Sequence, residues 1–308
     1  MREKRNVQGW AVPQNRRMRV LVLGGTGFIG TSVVGALLSR RHEVLALARS
    51  ESAENSLRAR GVQPVPGDIC WPEDWMDATE SVEAIIQVVG DFTADAEYIG
   101  QKLISTDLRR LKTQHRGSTP TYIYTGGCWL YGATGDRVAT EESPFHAPAE
   151  WAWSIEQTRT VLGASQVRGI VIHPAMVYER DGGVLAQFYQ DLLTLGRIRI
   201  FGDEDVRWPM VHRADIGDLY ALALEQAPCG RSYNGAAVDS ISVGTLARAM
   251  ARRAGVEVTP LVRPIAEAVA QFGEWARGYA IDQRMSGNRA RKELGWAPAH
   301  TDPIADIS

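Results

Sequence analysis

Gly24, Gly27 and Gly30 recur every third residue directly after the apolar run Val20-Leu21-Val22-Leu23, and Phe28 and Ile29 start a helical pattern between them. Glycine in such a turn lets the backbone approach a pyrophosphate closely. The helix that follows turns unpaired N–H groups and the positive end of its dipole toward the phosphate charge. A dinucleotide is therefore the expected ligand, touching Gly24, Thr26, Gly27, Phe28 and Ile29. The next apolar run ends at Ala48-Arg49-Ser50, where an acid would suit free ribose hydroxyls. Arg49 instead offers a guanidinium to an adenosine 2′-phosphate, with Ser50 as a further donor. This favours NADP(H), with NAD(H) as the other cofactor the loop could take. The alternative reading of Arg49 is a solvated surface charge.

The elements that must position this loop are legible from periodicity. Runs at 19–23, 43–48, 62–65, 84–89, 121–125 and 169–173 have the length and β-branched content of strands. Between the first two, Ile29, Val33 and Leu37 line one helical face, and Ile99, Leu103, Leu108 and Leu111 do so ahead of residue 121. Such alternation is satisfied by a parallel sheet covered on both faces, a doubly wound α/β fold of the Rossmann type. It is expected over residues 18–174, after a basic tail at 1–17. Beyond Pro174 the pattern changes. Phe188, Leu192 and Leu195 mark a helix, and 198–201 a short strand. Asp215 and Asp218 suit the N-terminus of a helix running to Leu224, and Ser242 can cap another that Gly255 ends. Residues 175–308 are expected to form mainly a smaller substrate-binding lobe over the ligand edge, with some segments returning to the first domain.

Composition narrows the partners. Among 308 residues, Lys and Arg (34) nearly balance Asp and Glu (36), so the formal net charge of −2 offers no attraction to nucleic acid or an anionic membrane. No apolar run approaches the ~20 residues a membrane helix needs. Cys70, Cys128 and Cys229 are far apart, without the paired spacing of a metal site, and an odd count fits reduced thiols. A small-molecule ligand, no metal and a cytoplasmic location are expected.

Several further stretches, taken with the glycine turn, resemble the extended short-chain dehydrogenase/reductases, the family of NAD-dependent epimerases and dehydratases. Gly67-Asp68-Ile69 matches the segment whose acid holds the adenine amino group. Tyr122-Ile123-Tyr124-Thr125 leading to Tyr131-Gly132 matches the fifth strand and its loop, and His173-Pro174-Ala175-Met176-Val177-Tyr178 the stretch that passes the nicotinamide. Val211-His212-Arg213-Ala214-Asp215 and Glu293-Leu294-Gly295-Trp296-Ala297-Pro298 are similar to two C-terminal signatures, so the likeness spans 18–300. It implies cofactor contacts at Asp68, Ile69, Val88, Val89, Gly90, Thr125, Pro174, Ala175, Met176 and Val177 in addition to the loop.

In that family a Ser or Thr orients the substrate and a Tyr moves the proton. A Lys four residues after the Tyr holds the nicotinamide ribose and lowers the phenol's pKa. Aligned on Tyr131-Gly132, the hydroxyl position falls on Gly127; aligned on Ser154, the Tyr and Lys positions fall on Trp151 and Ile155. All three functional groups are absent. Losing a general acid removes a factor of roughly 10²–10⁴, which weakens a reduction without forbidding it. Tyr131, Tyr178 and His146 remain as donor candidates, although the two tyrosines also read as loop packing and His146 as exposed. Gly127, Trp129, Trp151 and Tyr178 are the expected substrate contacts. Trp129, Trp151 and Trp153 would suit a flat polycyclic ring, though helix packing alone could explain Trp153. A ketone beside a phenolic hydroxyl could take that hydroxyl's own proton, as in aromatic polyketides. In this the chain is similar to triad-lacking ketoreductases of antibiotic pathways. The expectation is an NADPH-dependent ketoreductase acting on a planar aromatic substrate, monomeric or homodimeric. The competing readings are a lyase, dehydratase or epimerase on the same fold, and a non-catalytic NADP(H)-binding sensor.

Overall fold

Strands whose side chains are apolar on both faces are stable only under helices on both sides. In Arg19–Leu23 (β1), Val20 and Val22 enter one buried cluster while Leu21 and Leu23 enter another across the sheet. Each such aliphatic side chain, fully buried, contributes about 1.5–3 kcal/mol. The computed structural model describes residues 16–76, 82–90, 101, 102, 104, 105, 119–165, 167–256 and 259–307. The expected basic tail, apart from its last two residues, lies outside them. So do Ile99, Leu103, Leu108 and Leu111.

Glu43–Ala48 (β2), Gln63–Pro66 (β3), Ala84–Gln87 (β4), Thr121–Thr125 (β5) and Arg168–Pro174 (β6) follow β1, each within two residues of the predicted bounds. With Arg231–Gly235 (β11) they form a seven-stranded sheet in the order β11-β6-β5-β4-β1-β2-β3, every neighbouring pair parallel. This is the doubly wound α/β fold. The chain order reverses between β1 and β4, and at such a switch point the carboxyl ends of the strands leave a crevice. Val88 and Val89, expected inside the fourth strand, sit just beyond its end, at the crevice.

Met176–Glu179 (β7), Gly182–Gly183 (β8), Arg199–Phe201 (β9), Arg207–His212 (β10), Val238–Ser242 (β12) and Leu261–Arg263 (β13) build two smaller sheets, β12-β10-β7-β8 and β13-β9. Helix Ala186–Leu195 carries the expected Phe188, Leu192 and Leu195, and Ser242 caps helix Val243–Arg253 by accepting from Thr245 N. Asp215 lies in the first turn of helix Arg213–Gln226, but its two oxygens accept from the backbone N–H of Ala299 (2.8 Å) and His300 (2.9 Å). It therefore fastens the C-terminal segment. Among the described residues no helix is long and apolar enough to cross a membrane.

Candidate functional site

The glycine turn closes on itself. Gly24 adopts φ +88°, in the left-handed region that favours glycine, and Gly27 N donates to Gly24 O at 2.9 Å. A Cβ on Gly30 would overlap the Gly24 carbonyl and stand 2.8 Å from its carbon. Gly27 begins helix Phe28–Ser39 without a side-chain cap, so the first-turn N–H groups face outward, and Thr26 and Gly27 are exposed. These residues fit a pyrophosphate. Phe28 is clamped between the Arg213 guanidinium, 5.2 Å from its ring centroid, and the Gly182–Gly183 backbone.

At the other end of the crevice Arg49 and Ser50 are both exposed. Ser50 is the N-cap of helix Glu51–Ala59, its oxygen accepting from Ala53 N at 3.3 Å, so it has a structural task beside the donor role read from sequence. Asp68 accepts from Cys70 N at 2.9 Å, a bond that holds its carboxyl below the usual carboxylate range, with Arg49 acting in the same direction. Ile69 packs beside it against the buried cluster under β2 and β3.

Between the glycine turn and the C-terminal segments lies a cleft of about 500 Å³. Gly27, Phe28, Ile29, Val88, Val89, Gly90, Thr125, Gly127, Trp129, Trp151, Pro174, Ala175, Met176 and Val177 all line it. Gly24, Thr26, Arg49, Ser50, Asp68, Ile69 and Ile155 do not. A Cβ on Gly127 would meet nothing within 4 Å, so the lost hydroxyl is not replaced by packing. The Tyr-x-x-x-Lys spacing does occur at Tyr98 and Lys102, ahead of β5 rather than after it. Lys102 pairs with Glu73 at 3.0 Å and lies over Trp71, away from the cleft, while Tyr98 is outside the described residues.

All three donor candidates are corrected. Tyr178 donates to Asp306 at 2.6 Å and packs edge-on to His212, and it does not reach the cleft as donor or substrate contact. Tyr131 is buried against Phe145 and His173 and donates to Asn234 Oδ1 at 2.8 Å. Burial, above all, pushes both phenols up. His146 is exposed on its loop, where its backbone N–H donates to Leu130 O.

Other residues complete the cleft. Trp275 and Tyr279, from segment Glu274–Ala280, meet Trp129 and Trp151 in an aromatic wall. Trp129 lies 5.1 Å from Trp151, 6.4 Å from Trp275 and 5.9 Å from Tyr279 between ring centroids. Trp153 also lines the cleft, its indole N–H bonded to Glu150 O. Gln87 and Tyr124, from β4 and β5, and Ser154 and Gln157, from helix Trp153–Leu162, also line the cleft. Ser154 had served the sequence reading only as an alignment anchor, and Trp275 and Tyr279 carried no local signal at all. Among the described residues that line the cleft there is no Asp, Glu, Lys, Arg or His. Burial pushes the Cys128 thiol up to about 12 and raises Tyr124 and Tyr279 as well, so the described lining is uncharged near neutral pH.

Outside the cleft, His212, Asp215 and His300 bring potential metal-ligand atoms within 4.8 Å of one another. Asp215 is occupied by backbone N–H groups and His300 by Asp306, so the group reads as a fastening of the C-terminus.

The sequence and fold have recognisable relatives. An uncharacterized protein of Schizosaccharomyces pombe is 26% identical over 295 residues, covering 94% of this chain and 98% of its own length. The 4-hydroxy-2-methyl-3-oxo-4-farnesyl-3,4-dihydroquinoline-1-oxide ketoreductase of Stigmatella aurantiaca is 24% identical over 312 residues, 91% of this chain and 92% of its own. The structure of human epimerase family protein SDR39U1 with NADPH superposes with a TM-score of 0.71 at 22% identity, over 94% of this chain and 98% of that one. The sequence pattern of the NAD dependent epimerase/dehydratase family matches residues 20–236, and with that much of the chain accounted for, the protein belongs to that family.

Proposed function

We propose that the protein is an NADPH-dependent ketoreductase for flat, uncharged aromatic carbonyl compounds of the aromatic-polyketide kind. What carries the reading is the cleft: it adjoins the glycine turn, is walled by Trp129, Trp151, Trp275 and Tyr279, and among the described residues has no charged side chain in its lining. A diphosphate or carboxylate substrate would lose its hydration there without a cationic partner, at a cost of several kcal/mol. A planar ring would meet aromatic faces and edges, contacts worth about 0.5–1.5 kcal/mol each beyond burial. A relative named as a ketoreductase and another whose structure was solved with NADPH support the same reading.

In this reading residues 18–174 hold the cofactor and 175–308 mainly the substrate. Gly24, Thr26, Gly27, Phe28 and Ile29 hold the pyrophosphate, Arg49 the 2′-phosphate, Asp68 and Ile69 the adenine. Val88, Val89, Gly90, Thr125 and Pro174 to Val177 border the nicotinamide. Bound NADPH supplies a hydride for the carbonyl carbon. The proton for the carbonyl oxygen comes from a phenolic hydroxyl next to the ketone on the substrate itself, and water then reprotonates the phenolate. Ketone, NADPH and one proton thus give alcohol and NADP⁺. Trp151 excludes water and packs the ring rather than moving a proton, while Ile155 lies outside the cleft lining. Three free thiols agree with a reducing, cytoplasmic setting.

The test is NADPH consumption measured against alcohol formed, with 8-hydroxy-1-tetralone and its 8-methoxy analogue. Stoichiometric oxidation is expected, with the methoxy compound slower by about 10²-fold. Turnover without net oxidation would show a lyase or epimerase. Tight NADPH binding with no consumption in the presence of a bound ketone would show a sensor.

A further inference from the structure

Where the protons of the cleft's polar side chains go decides what each can still offer a ligand. Tyr124 donates to Gln157 Oε1 at 2.9 Å, and its phenol oxygen is 2.8 Å from Ser154 Oγ. A phenol has one proton, so Ser154 donates to Tyr124 and turns only lone pairs outward. Burial raises the Tyr124 phenol, which therefore keeps its proton near neutral pH. Thr125 spends its own proton on Gln87 O. Gln87 is the reverse case. Its Oε1 accepts from the Tyr122 phenol at 2.6 Å, which fixes the amide with its nitrogen on the other side. Among the described residues nothing accepts from Gln87 Nε2, and that atom is not one of the unpartnered ones sealed in the interior. It opens on the cleft that Gln87 lines, although the residue as a whole is 96% buried. An amide nitrogen there costs free energy until a ligand accepts from it. Gln87 and Tyr124 are register partners on β4 and β5, so the donor Gln87 and the acceptor Ser154 are both neighbours of Tyr124.

Their place selects one part of a dinucleotide. A Cβ on Gly24 would stand 3.0 Å from Val88 O, so the residue after Gln87 abuts the glycine turn that fits the pyrophosphate. Arg49 and Asp68, read as contacts of the adenosine half, do not line the cleft. The cleft therefore receives the other half, and the unit joined to the pyrophosphate on that side is the nicotinamide ribose. Its two adjacent hydroxyls each carry one proton and two lone pairs, so one donor and one acceptor match the pair. Ile155, where the family's lysine would hold this ribose, is outside the lining.

Resting on the NADPH half of the reading above and not on its ketone, we infer that Gln87 and Ser154 hold the nicotinamide ribose, Gln87 Nε2 donating to one hydroxyl and Ser154 Oγ accepting from the other. The task of the absent lysine is divided between two uncharged groups. Tyr122 and Tyr124 are positioning residues: one sets which end of the Gln87 amide faces the cleft, and the other takes the Ser154 proton.

The experiment is calorimetric titration of the full chain with three ligands: NADPH, 2′-phospho-ADP-ribose, which keeps the second ribose but lacks nicotinamide, and adenosine 2′,5′-bisphosphate, which lacks both. Ser154→Ala leaves Tyr124 paired with Gln157. Gln87→Leu is made in a Tyr122→Phe background, so that no buried phenol is orphaned, and is compared with Tyr122→Phe alone. Each should raise the Kd for NADPH and for 2′-phospho-ADP-ribose about fivefold and leave that for the bisphosphate unchanged. A merely structural role would weaken all three ligands alike, and that result overturns the inference. Unchanged NADPH binding in either variant does so too. A loss confined to NADPH would assign the contacts to the nicotinamide ring instead of the ribose. A parent protein that binds NADPH but reduces no ketone sinks the reductase reading and leaves the three-ligand comparison intact. A parent that binds no NADPH overturns both.

Discussion

Gly278 sits against the flat of the Trp129 indole, and the substitution Gly278→Ala tests whether that ring is a wall of the substrate cleft. A Cβ added at residue 278 would stand 2.6 Å from Trp129 Cε3 and closer still to Cδ2 and Cε2. Carbon atoms prefer to be about 3.5–4.0 Å apart, so the ring has to move by roughly 1 Å or more, or segment Glu274–Ala280 has to lift. The ring has little room to retreat among Trp151, Trp275 and Tyr279. Gly278 is not among the positive-φ glycines, so alanine meets no backbone penalty and the effect is steric.

Overpacking of this kind costs about 1–3 kcal/mol. In a chain of this size that lowers Tm by roughly 1.5 °C per kcal/mol. The displaced indole should also raise KM for a flat ketone by about tenfold. The Kd for NADPH should stay within about twofold, since the glycine turn is at the other end of the crevice. Calorimetric titration of NADPH, thermal unfolding and steady-state kinetics on one preparation would decide it. An unchanged KM would refute the role of Trp129 in the substrate wall. A parallel loss of NADPH affinity would mean that the wall serves the cofactor instead.

Three further outcomes are expected. Arg49→Ala should weaken NADPH binding by about 1–3 kcal/mol and leave NADH binding nearly unchanged; equal affinities of the parent for both cofactors would remove the basis for the NADP(H) assignment. Trp151→Phe should cost substrate affinity through lost contact with Trp129 but not the roughly 10²-fold or greater fall in kcat that deleting a general acid causes, and rapid-mixing kinetics can separate the two. His173 is fully buried, which pushes its pKa down to about 4 from the ordinary 6.5. The unfolded chain therefore takes up a proton first. The stabilisation is complete above about pH 6.5 and is lost as pH falls toward 4, by about 3 kcal/mol in all. Urea unfolding between pH 7 and 4.5 should be less pH-dependent in His173→Leu than in the parent, and equal slopes would exclude His173 as the cause.

How far the sequence disclosed this site depended on the distance over which each feature is encoded. The sheet and the glycine turn are local: Val20 to Leu23 carry the strand signal, and Gly24, Gly27 and Gly30 carry the turn within a few residues. The ligand edge followed, because a doubly wound sheet has one switch point. Tyr178 was misplaced because its partners come from far along the chain: Met176 and Val177 both line the cleft, while Tyr178 is held by Asp306 and His212. Trp275 and Tyr279 were beyond reach, since only the folded C-terminal segment brings them to Trp129.

Trp151 belongs to both sides of this account. In sequence it registers as a missing acid; in the fold its ring is 5.1 Å from Trp129 and forms part of the cleft's aromatic wall. Ile155 follows four residues later, outside the cleft lining. A lysine there would put a charge beside a cleft whose described lining has no carboxylate to pair with it, and an unpaired charge is costly in low dielectric. Trp151 and Ile155 are thus both uncharged where the family's relay would carry a phenol and a lysine. Restoring the relay piecemeal should then fail. Ile155→Lys alone should weaken binding of an uncharged flat ketone without raising kcat, and a gain in turnover from that one substitution would show that the cleft had kept room for the older chemistry.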